Sequence, residues 1–177
     1  MIYSETSLPG VYLIELQPVE DDRGHFARLF CSREMREHGL SFDVAQVNSA
    51  FNKTAGTVRG LHFQREQHAE SKVVSCTGGA IFDVAVDIRP DSPTYLDWFG
   101  IELTAENRRQ LYIPTGFAHG YQALTNDAKL IYLVSEFYAP GAEGGLRYDD
   151  PAIGIDWPLR VSSVSEKDRS WPLVGDS

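Results

Sequence analysis

Phe82-Asp83-Val84-Ala85-Val86-Asp87-Ile88 is the longest unbroken alternation in the chain. In an extended backbone, Phe82, Val84, Val86 and Ile88 fall on one face and Asp83, Ala85 and Asp87 on the other. This period of two predicts a strand with one face turned to a core. Turn signals bound it: Thr77-Gly78-Gly79 before, and Arg89-Pro90-Asp91-Ser92-Pro93 after. Similar short runs at 11–14, 26–30, 99–103, 110–113, 119–124 and 129–137 predict further strands, with a loop around residues 20–24 and a turn at Pro114-Thr115-Gly116. Many short strands at such spacing make an all-β sandwich or barrel rather than alternating β-α units. Helix signals are confined to two places. Ser32 reads as an N-cap with Gly39 as its stop, and Ser165 reads as a cap with Asp168 at the third helical position.

The chain has 177 residues, the size of one well-buried domain. No linker, repeat or low-complexity segment divides it, so residues 1–177 are expected to form a single domain, with the tail from about residue 160 packing back on the site. Its 16 basic and 25 acidic residues give a net charge of −9, which argues against a nucleic-acid partner. Only Cys31 and Cys76 are present, without a CxxC pair, so reduced thiols are expected. Residues 1–10 carry no basic segment followed by an apolar core, and no apolar run reaches the length of a membrane span. A cytoplasmic location with no membrane partner is the expectation.

Chemistry concentrates in Arg59-Gly60-Leu61-His62-Phe63-Gln64 and the nearby Lys72. A histidine of near-neutral pKa can abstract a carbon-bound proton, and nearby cations can stabilise enolate or phosphate charge. Arg59 and His62 lie an odd number of positions apart, so a regular strand would send them to opposite faces; a bend or bulge at Gly60 would reunite them. Taken alone, His62 reads first as a hydrogen-bonded core histidine and Asp168 as a helix cap, Lys72 and Arg23 read equally as solvated charges, and Tyr132 can be core packing. Pro114-x-Gly116-x-x-His119 resembles the second motif of cupins, where such a histidine often binds metal. His62 and His68 are too far apart along one strand to converge on one ion, so no metal is expected.

Five stretches taken together resemble the nucleotide-sugar 3,5-epimerase family typified by dTDP-4-dehydrorhamnose 3,5-epimerase: DDRGHF (21–26), VRGLHFQ (58–64), FDVAVDIRPDSPT (82–94), RRQLYIPTGFAHGY (108–121) and YDDPAIGIDWPL (148–159). The resemblance implies a cupin-type jelly roll with a few short helices, a homodimer, no cofactor, and a nucleoside-diphosphate 4-keto-6-deoxy sugar as substrate. It implies His62 as base, Asp168 as the partner of its imidazolium, and Tyr132 as the acid on the opposite sugar face. Lys72 would contact the enolate oxygen and His119 the sugar. Arg23 and Arg59 would receive the diphosphate, and Tyr138 would stack on the pyrimidine. Gln46, Asn48, Glu143 and Lys167 match further binding positions. The chain departs from the family pattern at Arg28, a binding position where many members have glutamate, at Leu133, which replaces a lysine, and in a longer segment at 52–56. These departures leave open a 3-monoepimerase, an epimerase of a CDP- or GDP-linked sugar, and a non-catalytic sugar-nucleotide-binding cupin.

Overall fold

A computed structural model describes residues 1–175. In chain order its strands are β1 (Ile2–Glu5), β2 (Tyr12–Glu15), β3 (Val19–Asp21), β4 (Gly24–Phe26), β5 (Gln46–Asn52), β6 (Val58–Gln64), β7 (Lys72–Gly78), β8 (Ala80–Asp87), β9 (Trp98–Thr104), β10 (Arg109–Ile113), β11 (Phe117–Ala123), β12 (Ala128–Val134) and β13 (Glu143–Gly145). Helix α1 (Ser32–Glu37) follows β4, and α2 (Glu166–Ser170) lies near the C-terminus. One sheet runs β1-β2-β10-β7-β12-β5 and the other β13-β6-β11-β8-β9, while β3 and β4 form a separate ribbon. Strands β5 to β12 thus pair as two facing sets of four, β10-β7-β12-β5 and β6-β11-β8-β9, the strand order of a double-sheet jelly roll. Among the described residues no helix is long and apolar enough to cross a membrane.

The alternating stretch is β8, but both of its faces are buried. Ile81 and Ala85 join Val74, Leu111 and Leu130 in the core between the sheets. Val84 and Val86 lie on the outer face, under Ile153, Ile155 and Trp157 of the C-terminal segment. The acidic face is therefore the inner one. It is tolerable there because each carboxylate has partners: Asp87 accepts from Arg89, Ser92 and Thr94, and Asp83 faces His119.

Several boundaries differ from the expectation. The run at 26–30 is a strand only as far as Phe26; Phe30 instead packs on Phe42, ring centroids 5.7 Å apart, beside α1. The run at 129–137 leaves the sheet after Val134, where the Ser135 hydroxyl takes the Ser71 N–H. Cys31, not Ser32, is the N-cap of α1 and makes no side-chain cap bond, whereas Gly39 stops the helix at φ +74° as expected. Ser165 caps α2 by accepting from the Asp168 N–H at 3.0 Å. β5 escaped sequence reading because its pattern is inverted: Val47 and Phe51 are exposed, and Gln46 and Asn48 point into the molecule.

One close approach shapes the inner wall. On β11, His119 pairs with His62 and Tyr121 with Arg59, so two residues on one strand span three on the other: a β-bulge at Gly60-Leu61. Gly60 sits at φ +115°, and a Cβ there would lie 2.6 Å from the Gly120 Cα and 2.7 Å from the His119 carbonyl oxygen. Neither condition suits an L side chain. Gly60→Ala is expected to cost about 2 kcal/mol or more, read as a lowered urea midpoint with an unchanged m value.

Candidate active site

The jelly roll leaves an open cavity of about 630 Å³ between its sheets. The strand period puts alternate residues of each wall into it. From one sheet, Tyr132 stands beside Asn48 on β5 and Val74 on β7, and Val134 stands between Gln46 and Lys72. From the other, the bulge turns both Arg59 and His62 inward, level with Tyr121 and His119. His62 and Tyr132 therefore belong to opposite walls of one cavity.

His62 is held from behind. Its Nε2 lies 2.6 Å from Asp168 Oδ1, and the Gly60 N–H donates to Asp168 Oδ2 at 3.3 Å. Burial pushes the Asp168 carboxyl up, but the His62 hydrogen bond and charge, with the Gly60 and Ser165 contacts, outweigh it and hold the pKa below the ordinary value. An ionised Asp168 can only accept, so Nε2–H donates to it, the tautomer in which Nδ1 carries the ring's free lone pair. His119 has the same arrangement, with Nε2 2.8 Å from Oδ1 of the fully buried Asp83.

Burial, followed by the negative charge of Glu70, raises the Tyr132 pKa against an opposing pull from Arg59, so the phenol keeps its proton at neutral pH. Lys72 is buried; its Nζ forms an ion pair with Glu70 Oε1 at 3.0 Å and donates to the His62 carbonyl at 3.4 Å. Arg59 Nε donates to Asn52 Oδ1 at 2.9 Å, and that same oxygen accepts from the Tyr121 hydroxyl at 3.4 Å. At the mouth, Gln46 Oε1 accepts from the Tyr138 N–H at 2.7 Å, and Glu143 accepts from both the Tyr138 hydroxyl and Lys167.

The structure does not bring Arg23 and Arg28 to this cavity. Arg23 is at the tip of the β3–β4 ribbon, its side chain 89% exposed and paired with Asp21; Arg28 pairs with Glu34. The ribbon pairs with neither sheet, and each guanidinium is held by a nearby carboxylate, Asp21 for Arg23 and Glu34 for Arg28. Lys167 stands behind Glu143 rather than on the cavity lining. Asn52, Gln64, Glu70, Asp83 and Tyr121 belong to the site and were not singled out from sequence. Of these, only Asp83 carried a signal, as a charge within an alternating strand.

Because the Asp168 pKa is lowered on folding, its contribution to stability is present above the unfolded aspartate value, about 3.9, and is lost as pH falls through the lower folded value. Asp168→Asn should therefore lower the urea midpoint at pH 6, with the gap to the parent protein closing below about pH 4.

The family model described as dTDP-4-dehydrorhamnose 3,5-epimerase matches residues 5–176. The dTDP-4-dehydrorhamnose 3,5-epimerase of Methanothermobacter thermautotrophicus is 44% identical over 172 residues, covering 96% of this chain and 92% of that protein. The enzyme of the same name from Bacillus anthracis, crystallised with TDP and PPi bound, superposes with a TM-score of 0.94 at 38% identity, covering 97% of this chain and 98% of that one. The Legionella pneumophila dTDP-6-deoxy-D-glucose-3,5-epimerase, in complex with dTDP-4-keto-L-rhamnose, superposes at 0.92 with 38% identity, covering 98% and 92%. Jelly-roll strand order, a cavity between the sheets and full-length similarity agree: the chain belongs to the dTDP-4-dehydrorhamnose 3,5-epimerase family.

Proposed function

We propose that the chain epimerises carbons 3 and 5 of a dTDP-4-keto-6-deoxyhexose, with His62 as base and Tyr132 as acid. The observation that carries this reading is their position on opposite walls of one cavity, which suits proton removal from one sugar face and return to the other. The carbon-4 ketone acidifies its neighbouring C–H groups. His62 Nδ1 takes the proton while the C–H electrons move into the carbonyl, giving an enolate with its charge on oxygen 4. The Tyr132 hydroxyl then protonates carbon from the opposite face, inverting the centre. The tyrosinate regains a proton and the imidazolium loses one, so the protein returns to its starting state.

Asp168 stabilises the imidazolium and fixes its tautomer, as carboxylates do in other His–Asp pairs. Lys72 donates to the enolate oxygen and His119 to the sugar. Arg59 receives the diphosphate, for which a planar guanidinium is suited. Tyr138 supplies a face for the pyrimidine, with Gln46, Asn48, Glu143 and Lys167 around the nucleotide-sugar. The unit is residues 1–177 as one domain, with the segment from about residue 160 closing the site. It works as a cytoplasmic homodimer, a reading supported by the outward apolar side chains Val47 and Phe51 on β5, 61% and 46% exposed.

In deuterated water, NMR should show deuterium entering both carbon 3 and carbon 5 of dTDP-4-keto-6-deoxyglucose. His62→Asn should slow this by about a hundredfold to ten-thousandfold. Tyr132→Phe should retain exchange through His62 while blocking inversion. Full exchange in His62→Asn would remove the base assignment, and label at carbon 3 alone would make the protein a monoepimerase.

A further inference from the structure

One charged group of the cavity has no assigned role in that reaction or in holding its substrate. Glu70 lines the cavity, and its Oε1 holds the Lys72 ammonium at 3.0 Å. Its Oε2 accepts from Gln64 Nε2 at 3.3 Å. Gln64 is itself anchored: the two hydrogens of its amide are shared among Glu70 and the His68 and Phe137 carbonyls, and its oxygen accepts from the Ala139 N–H at 2.7 Å. The carboxylate is thus held in place rather than swinging in solvent. An ionised carboxylate offers about four acceptor positions, of which the Gln64 contact uses one, with the Lys72 ammonium paired alongside. The ammonium has three donors, of which the His62 carbonyl takes one.

The cavity wall therefore presents a donor and an acceptor side by side, both short of partners. A ketone oxygen can only accept, and a hydroxyl on the adjoining carbon can donate. Together they match an ammonium–carboxylate pair in both polarity and adjacency. We propose that Lys72 and Glu70 jointly read an α-hydroxy ketone, Lys72 donating to the carbon-4 oxygen and Glu70 accepting from the carbon-3 hydroxyl, which makes Glu70 a specificity-determining residue. The proposal rests on the epimerase reading above and narrows its substrate class to 4-keto sugars that keep the carbon-3 hydroxyl. Anchoring that hydroxyl also limits rotation of the ring about the Lys72 contact, so the C–H bonds stay aligned between the two walls. A hydroxyl bound to a charged acceptor is a strong discriminator, because the analogue lacking it leaves a half-buried carboxylate short of a partner.

The test compares two dTDP-4-keto-6-deoxyhexoses, one with and one without the carbon-3 hydroxyl, as substrates for the parent protein, Glu70→Ala and Glu70→Gln. Deuterium incorporation at carbon 5, which both ligands retain, is followed by NMR and expressed as kcat/KM. The parent protein should favour the hydroxylated sugar by about a hundredfold or more. Glu70→Ala should shrink that preference below about tenfold, mainly by slowing the hydroxylated sugar. The isosteric Glu70→Gln, whose amide oxygen still accepts, should fall between them. An unchanged preference in Glu70→Ala, or equal slowing of both ligands, would overturn the proposal, since a carboxylate that merely positions Lys72 affects both sugars alike. Absence of exchange on both ligands by the parent protein would instead overturn the epimerase reading, and the proposal with it.

Discussion

The contact between Gly60 and Gly120 is the constraint on which the rest of the site depends. Two backbones meet where a Cβ on either strand would lie under 3 Å from the other. The bulge this permits breaks the strict alternation of β6 at a single point, and Arg59 and His62 come to share a wall. The same turn of chain aims the Gly60 N–H at Asp168, so one local departure from regular pairing both exposes the imidazole and recruits its carboxylate. A regular strand there would have sent either the guanidinium or the imidazole into the apolar layer outside the sheet.

Around this point the cavity is built from charges that come in pairs. Asp168 backs His62, Asp83 backs His119 and Glu70 backs Lys72, while Glu143 on the lining is itself backed by Lys167. Arg59 alone of these cations is held by neutral acceptors, Asn52 and the Phe51 carbonyl. Pairing lets a chain of net charge −9 keep several cations in a partly buried space, because each charge is compensated where it stands. It also leaves Arg59 as the cavity cation whose charge is not already answered by a carboxylate, which suits an anionic ligand.

Much of the fold was legible because burial writes a period into the sequence. The strands read from runs at 99–103, 110–113 and 119–124 all exist, within a few residues at their ends. Reading failed where the usual polarity is reversed. β5 directs polar side chains inward because it lines a cavity, and β8 directs its aspartates inward because the C-terminal segment covers its apolar face. Local sequence does not say which of two faces a distant segment will cover. The bulge at Gly60 and the cap at Ser165 were readable, since each depends on a few neighbouring residues. Glu70 was not, and Asp83 showed only as a charge in an alternating strand, because their meaning comes from partners elsewhere in the fold. Arg23 and Arg28 show the converse: a motif gives residue types, but where a guanidinium settles in this chain is decided by how the β3–β4 ribbon leaves the sheets.

The pairing of His62 with Asp168 joins residues 106 positions apart, and Asp168 lies beyond every strand of the sandwich. During synthesis from the N-terminus, both sheets can therefore assemble before the carboxylate that fixes the tautomer of His62 has emerged. Such a chain has the cavity, the imidazole and the phenol, yet lacks their electrostatic partner. The helix that carries Asp168 acts as a completion mark: the imidazole gains its carboxylate from a segment that follows the sandwich, not from closure of the barrel.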